Sequence, residues 1–107
     1  MSVAVISPGL SEAETIAALV AGARQHAQWV VVADNGSTDG TAAVAREAGA
    51  EVVVEPRPGY GYACAAGTAR ALASGVATLV YMDGDGSARP EELPRLLASL
   101  DARTADL

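Results

Sequence analysis

The fold is decided by the stretch WVVVADNGSTDGT, residues 29–41, in which an unbroken apolar run passes directly into a polar turn. The apolar residues Trp29–Ala33 show no alternation with polar ones, so they predict a strand that is buried on both faces. Asp34-Asn35-Gly36-Ser37 closes this strand, and the polar residues after it can cap a helix predicted over Ala42–Ala48. Gly49 follows as a C-cap glycine.

The same alternation of an apolar run with a helical pattern recurs along the chain. Further buried strands are predicted over Val3–Ile6, Glu51–Glu55 and Thr78–Met82. Helices are predicted from a capping box at Ser11 and Glu14 to about Gln25, over Tyr62–Ser74, and from Pro90 onward. The prolines of Pro56–Gly61 predict a loop. The fold class is therefore α/β, a Rossmann-like parallel sheet with helices on both faces and about four strands alternating with four helices.

Some of the predicted elements carry information about packing. The charged ends of the third strand, Glu51 and Glu55, are typical of a sheet edge. Gly67 lies inside the third helix, whose small residues predict close packing on the sheet. The last helix has an apolar face made by Leu93, Leu96, Leu97 and Leu100.

Composition limits the classes of protein and partner. The 107 residues suit a single domain, residues 1–107, and half of them are hydrophobic. A formal net charge of -6 argues against nucleic acid as a partner and against docking on an anionic membrane through a basic patch. No apolar run is long enough for a membrane span. Cys64 is the single cysteine, so no internal disulfide forms, and a soluble cytoplasmic protein is expected.

The tripeptide Asp83-Gly84-Asp85 is the sharpest chemical feature. It follows the fourth predicted strand, and ligands of open parallel sheets bind beyond the carboxyl ends of the strands. Two carboxylates separated by glycine can both face one hard divalent cation, Mg²⁺ or Mn²⁺, which leaves coordination positions for phosphate oxygens. A polar turn without a metal is the alternative, because Asp-Gly is common in turns.

Two other segments lie at the same predicted edge. Asp34 could accept a hydrogen bond from a nucleobase or could serve the turn alone. Gly59-Tyr60-Gly61 with Arg57 permits close approach of a phosphate, although an ordinary turn has the same composition. His26 is predicted at the far end of the first helix, and Cys64 as a small packing residue.

Together these motifs resemble glycosyltransferase family 2 of the GT-A fold, most closely the polyprenyl-phosphate or dolichol-phosphate sugar transferases. Val5–Glu12 looks like the opening strand with its Pro-x-x-Asn-Glu loop, and Val32–Thr41 is nearly the family's V-D-D-G-S-T-D-G-T stretch. Gly59–Ala63 with Gly67 looks like the glycine-containing loop and helix. Asp83-Gly84-Asp85 followed by Pro90–Leu93 looks like the family's D-x-D and P-E-x-L.

The resemblance implies an inverting transfer of sugar from a UDP- or GDP-sugar with Mg²⁺ or Mn²⁺, possibly to a polyprenyl phosphate. The nucleotide-sugar-binding residues that it implies are Pro8, Leu10, Glu12, Asp34, Arg57, Gly59 and Asp83. Asp83 and Asp85 would bind the metal. Within this assignment Asp34 contacts the base, and Arg57 and Gly59 lie near the diphosphate or base.

Two departures from the family pattern matter. Ser11 stands where Asn is usual, and the sequence stops where the family's acceptor half is expected to follow Thr104–Leu107. No residue matches the family's catalytic base, so the catalytic residue is left unassigned. A nucleotide-sugar-binding module without turnover, a sugar-phosphate nucleotidyltransferase and an assembly domain that forms a homo-oligomer remain as alternatives. The lack of a basic residue in Ser7–Glu12 counts against the nucleotidyltransferase.

Overall fold

A computed structural model of the chain describes residues 2–8, 13–36, 40–82, 89–95 and 97. Strands and helices alternate along it, in the order β1 (Val3–Pro8), α1 (Ala13–Ala23), β2 (Trp29–Asp34), α2 (Thr41–Ala48), β3 (Glu51–Val54), α3 (Tyr60–Ala73) and β4 (Thr78–Tyr81), followed by a 3₁₀ turn (Pro90–Glu92). In the described part of the chain the strands form one sheet, in the order β3-β2-β1-β4, and all of them are parallel. The predicted α/β fold class is confirmed.

The strand order explains why the apolar runs do not alternate with polar residues. β1 and β2 are the two inner strands, and both are covered from both sides. Val3, Val5, Val30 and Val32 face α1 and α2, whereas Ala4, Ile6 and Val31 face α3. Burying a large aliphatic side chain contributes about 1.5–3 kcal/mol, so these two strands supply much of the core.

The predicted close packing of the third helix is observed. Gly67 is buried in α3, where its bare backbone lies against Ile6 of β1. A second close contact on the opposite face of the sheet joins Gly22 of α1 to Pro90. Small residues at both contacts let the helices sit near their neighbours.

Several predicted boundaries differ from the structure by one or two residues, and those of β1 and α3 do so for a physical reason. β1 continues beyond Ile6 to Pro8, because a proline that ends a strand removes only one possible donor. The loop predicted over Pro56–Gly61 ends early, since Gly59 turns the chain with φ 118° and α3 begins at Tyr60. β3 ends at Val54, and α1 ends at Ala23 and continues only as turns through His26.

The predictions that β3 lies at a sheet edge and that Gly49 ends α2 are confirmed. β3 lies at one edge of the sheet, as its charged ends predict, and is four residues long. Gly49 ends α2 in the left-handed region with φ 109°.

Leu93 is buried after the 3₁₀ turn, and Leu97 packs against the same core. The Ser11 cap and the side chains of Leu96 and Leu100 lie outside the described residues. No helix in the described part combines the length and apolar character needed to cross a membrane.

Candidate functional site

The candidate site lies at the carboxyl edge of the sheet. Because the strands are parallel, Pro8 of β1, Asp34 of β2, Val54 of β3 and Tyr81 of β4 all end at this edge. The chain passes from β1 to β2 and β3 on one side, and then returns to place β4 on the other side of β1. Such a reversal of strand order opens a crevice between neighbouring loops, which is where open α/β sheets bind ligands.

The end of β1 contributes two buried residues. Pro8 is buried and is in register with Ala33 of β2. Ser7 is almost completely buried, and its Oγ has no hydrogen-bond partner among the described residues. Leu10 and Glu12, which the sequence predicts beside the nucleoside, lie outside the described residues.

Asp34 ends β2 as a buried carboxylate. Its side chain is 3% exposed, and its Oδ1 accepts a hydrogen bond of 3.3 Å from the backbone N–H of Gly36. Gly36 has φ 103°, a conformation that favours glycine, so Asp34 and Gly36 together form the turn that leaves the strand. Asp34 therefore serves the turn, and whether it also contacts a base stays a prediction.

Asn35 connects the end of β2 to the loop after β3. Its Nδ2 lies 2.9 Å from the carbonyl oxygen of Arg57, 3.4 Å from that of Glu55 and 3.5 Å from that of Gly59. The backbone N–H of Glu55 donates to the carbonyl of Asp34 at 2.8 Å and extends the β2–β3 ladder by one bond. The sequence motif predicts no role for Asn35, and the signal for one is an amide side chain directly after a buried strand.

Arg57 is held by Glu55, two residues before it. Its Nε and Nη2 donate to the two carboxylate oxygens at 3.0 and 2.8 Å, and its backbone N–H donates to Oε2 at 2.9 Å. Glu55 is 7% exposed at its side chain, whereas that of Arg57 is 61% exposed. The Arg57 guanidinium also lies 4.3 Å from the centre of the Tyr62 ring.

The ion pair shifts the pKa of both groups. Hydrogen bonds from the Arg57 side chain and backbone lower the pKa of Glu55 from 4.5 to about 2, against the opposing effect of burial. The same side-chain hydrogen bond raises the pKa of Arg57. The sequence predicts Glu55 only as the end of a strand. The sequence signal for its ion pair is the placement of Glu55 and Arg57 on either side of Pro56.

The structure thus brings four predicted site residues to one edge: Pro8, Asp34, Arg57 and Gly59. The metal-binding pair predicted at Asp83 and Asp85 lies outside the described residues. Among the residues that are described, no cluster of three or more His, Cys, Asp or Glu side chains could hold a metal ion.

A separate cavity lies away from this edge, between α1 and the 3₁₀ turn. It has a volume of about 510 Å³ and is lined by Thr15, Ala18, Leu19, Gly22, Gln25, His26, Pro90 and Glu91. His26 follows the end of α1, as predicted, at the amino end of the strands. The cavity is separate from the candidate site, because none of the predicted site residues lines it.

The fold is an α/β fold with a parallel sheet, and the predicted site residues that the structure describes lie at its carboxyl edge. The model of the family described as glycosyl transferase family 2 matches residues 4–107 of the chain. The chain therefore belongs to glycosyltransferase family 2.

Relatives with known names support this membership. An uncharacterised glycosyltransferase of Mycobacterium tuberculosis is 47% identical over 106 residues, which are 99% of this chain and 46% of the relative. Polyprenol monophosphomannose synthase of Mycolicibacterium smegmatis is 39% identical over 111 residues, 92% of this chain and 40% of that protein. The chain spans less than half the length of these relatives.

A solved structure resembles the fold described above. Glucosyl-3-phosphoglycerate synthase from Mycobacterium tuberculosis, crystallised with Mn²⁺, UDP and glucosyl-3-phosphoglycerate, superposes with a TM-score of 0.70 and 29% identity over 92% of this chain and 39% of that one. The same synthase has also been crystallised with Mg²⁺ and UDP.

Proposed function

We propose that this chain is the nucleotide-sugar-binding part of an inverting family 2 glycosyltransferase. The observation that carries the proposal is the convergence of Pro8, Asp34 and the loop from Glu55 to Gly59 on one edge of the sheet. The family match over residues 4–107 adds to it. A UDP- or GDP-sugar would bind across this edge, with the nucleoside beside Pro8, Leu10 and Glu12.

The loop from Glu55 to Gly59 suits the polar part of such a ligand. Arg57 brings a positive charge to the edge of a chain whose net charge is -6. Glu55 fixes the guanidinium by two hydrogen bonds, which reduces the freedom that the side chain would lose on binding. We assign Arg57 and Gly59 to the diphosphate or base, and Asp34 to the base.

A divalent cation completes the proposed site. Asp83 and Asp85 supply hard oxygen ligands, which Mg²⁺ and Mn²⁺ prefer. Bound there, the cation would stabilise the negative charge that develops on the departing nucleoside diphosphate. The Mn²⁺ and Mg²⁺ complexes of the similar synthase support this choice of metals.

The choice of ligands rests on the relatives. UDP in the similar synthase favours a UDP-sugar as donor, and the similarity to polyprenol monophosphomannose synthase favours a polyprenyl phosphate as acceptor. We also propose a cytoplasmic location for the chain, because a single cysteine, Cys64, fits a reducing compartment.

The experiment measures thermal unfolding with UDP or GDP at millimolar concentration, each with and without Mn²⁺. A ligand that binds only the folded chain raises the melting temperature. We expect one nucleotide to do so, and Asp85→Asn to remove the part that depends on Mn²⁺. Glu47→Gln is the matched control, because it also removes one carboxylate but lies exposed on α2.

The outcomes separate the parts of the proposal. If neither nucleotide stabilises the wild-type chain, the nucleotide-sugar site is wrong. If Asp85→Asn and Glu47→Gln keep the same Mn²⁺-dependent shift as the wild type, Asp85 does not bind the metal. Release of free nucleotide from a UDP- or GDP-sugar in the presence of polyprenyl phosphate then tests transfer itself.

A further inference from the structure

The side chain of Asn35 joins the end of β2 to the loop after β3. Its amide nitrogen faces the carbonyl oxygens of Glu55, Arg57 and Gly59, and the shortest of these distances, 2.9 Å, is to Arg57. Asn35 itself is half-buried, directly after Asp34. One side chain therefore spans the entire segment from Glu55 to Gly59.

The chemistry of this contact requires a donor. A carboxamide nitrogen carries two hydrogens, and carbonyl oxygens only accept hydrogen bonds. Pro56 and Pro58 have no N–H, so the loop has few donors of its own for these carbonyls. An aspartate of the same shape would turn an ionised carboxylate toward three acceptors.

The same loop leads directly into α3. Gly59 precedes the helix with φ 118°, and its carbonyl oxygen accepts a hydrogen bond of 3.3 Å from the N–H of Ala63. Asn35 therefore contacts both the Arg57 backbone and the residue that precedes α3. Arg57 and Gly59 are the residues of this loop that the proposed function assigns to the nucleotide.

We propose that Asn35 is a positioning residue for nucleotide binding, which acts by holding the loop from Glu55 to Gly59 against the end of β2. This inference rests on the proposed function. It names the group that orders one wall of the proposed nucleotide site. Removing the donor should release the loop while the sheet stays folded, because the β2–β3 ladder does not depend on the Asn35 side chain.

The test compares the wild-type chain with Asn35→Asp, which is isosteric but lacks the donor, and Asn35→Ala, which lacks the donor without adding a charge. Two quantities are measured: the affinity for UDP and GDP with Mn²⁺, and the amide hydrogen exchange of residues 55–63. We expect affinity to fall by about tenfold or more in Asn35→Asp and by less in Asn35→Ala. Exchange at 55–63 should be faster in both, with the protection of β1 and β2 unchanged.

A pH series distinguishes positioning from a general loss of stability. A protonated carboxyl regains an O–H donor, so the Asn35→Asp variant should recover affinity relative to wild type as the pH falls from about 7.5 to about 4, where an aspartate of ordinary pKa is roughly half protonated. Asn35→Ala has no group that titrates and should show no recovery. The other charged groups near this position, Asp34, Glu55 and Arg57, are common to all three proteins, so the ratio to wild type removes their effect.

Each result decides a different point. If the wild type binds nucleotide and both variants bind it equally well, Asn35 has no positioning role. A loss of affinity in both variants without faster exchange at 55–63 would also overturn the inference, since the loop would then be unaffected. If the wild type binds neither nucleotide, the proposed function itself is wrong, and the positioning role is lost with it.

Discussion

Gly67 on α3 and Ile6 on β1 approach so closely that a Cβ atom added at residue 67 would lie 2.7 Å from the Cγ2 of Ile6. The same atom would lie 3.5 Å from the Cβ of Ala33 on β2. Helix α3 is therefore seated on the two inner strands through a residue without a side chain. This contact sets the distance between the helix and the strands that end at the candidate site.

The contact predicts that Gly67→Ala destabilises the fold although alanine favours helices. Overpacking a core costs about 1–3 kcal/mol, against about 1 kcal/mol gained in helix propensity. We expect a net loss of about 1 kcal/mol in the free energy of unfolding, measured by urea denaturation, and a larger loss for Gly67→Val. Gly61→Ala is the matched control in the same helix, since a Cβ there meets nothing within 4 Å. A Gly67→Ala protein as stable as Gly61→Ala would show that α3 can shift freely.

Gly49 provides a second test, because it combines a special backbone conformation with a close neighbour. It ends α2 with φ 109°, and an added Cβ would lie against the guanidinium of Arg24. A left-handed conformation costs a residue with a side chain about 1–2 kcal/mol, so Gly49→Ala should lower stability by at least that amount. Gly75→Ala measures the backbone cost alone, because Gly75 has φ 76° and open space around it. If Arg24 contributes, adding Arg24→Ala should reduce the excess of Gly49→Ala over Gly75→Ala, as read from denaturation midpoints.

The sequence predicted the elements well and their exact ends less well. Apolar runs without alternation, such as Val30–Val32, are typical of strands buried on both faces of a parallel sheet. The type and order of the elements therefore followed from these runs. The start of α3 was missed because Pro56 and Pro58 predict a loop for the residues near them. The helix begins where the chain turns at Gly59, one residue before Tyr60. The backbone dihedral angle φ of Gly59 cannot be predicted from the local composition.

The candidate site shows the same division. The edge at which Pro8, Asp34 and Gly59 meet could be predicted, because parallel strands end at a common side. The cross-strand contacts could not, since Asn35 and Arg57 are 22 positions apart in sequence and meet only through the β2–β3 register. The partnership of Glu55 with Arg57 is local, but it depends on a loop conformation that the sequence leaves open.

The geometry of the Glu55–Arg57 pair predicts that lysine cannot replace arginine. Arg57 donates from Nε and Nη2 to both carboxylate oxygens, and a lysine ammonium lacks this fork. The pKa of Glu55, about 2 in the wild type, should therefore rise toward 4.5 in Arg57→Lys and rise further in Arg57→Gln. Carboxyl chemical shifts followed by NMR across pH measure it. An unchanged pKa in Arg57→Gln would mean that the side-chain hydrogen bonds do not cause the shift.

The low pKa of Glu55 also predicts how stability depends on pH. A carboxyl group whose pKa is lower in the folded than in the unfolded chain stabilises the fold in full above the unfolded value, here about 4.5, and loses that contribution as the pH falls toward about 2. The melting temperature of the wild type should therefore fall more steeply between these pH values than that of Glu55→Gln, which cannot titrate at this position. Glu55→Gln should be the less stable protein at neutral pH, and the two should converge in acid.

Glu47→Gln, on the exposed surface of α2, should keep the wild-type slope. Parallel curves for Glu55→Gln and wild type would show that folding does not lower the pKa of Glu55, which would contradict the value of about 2.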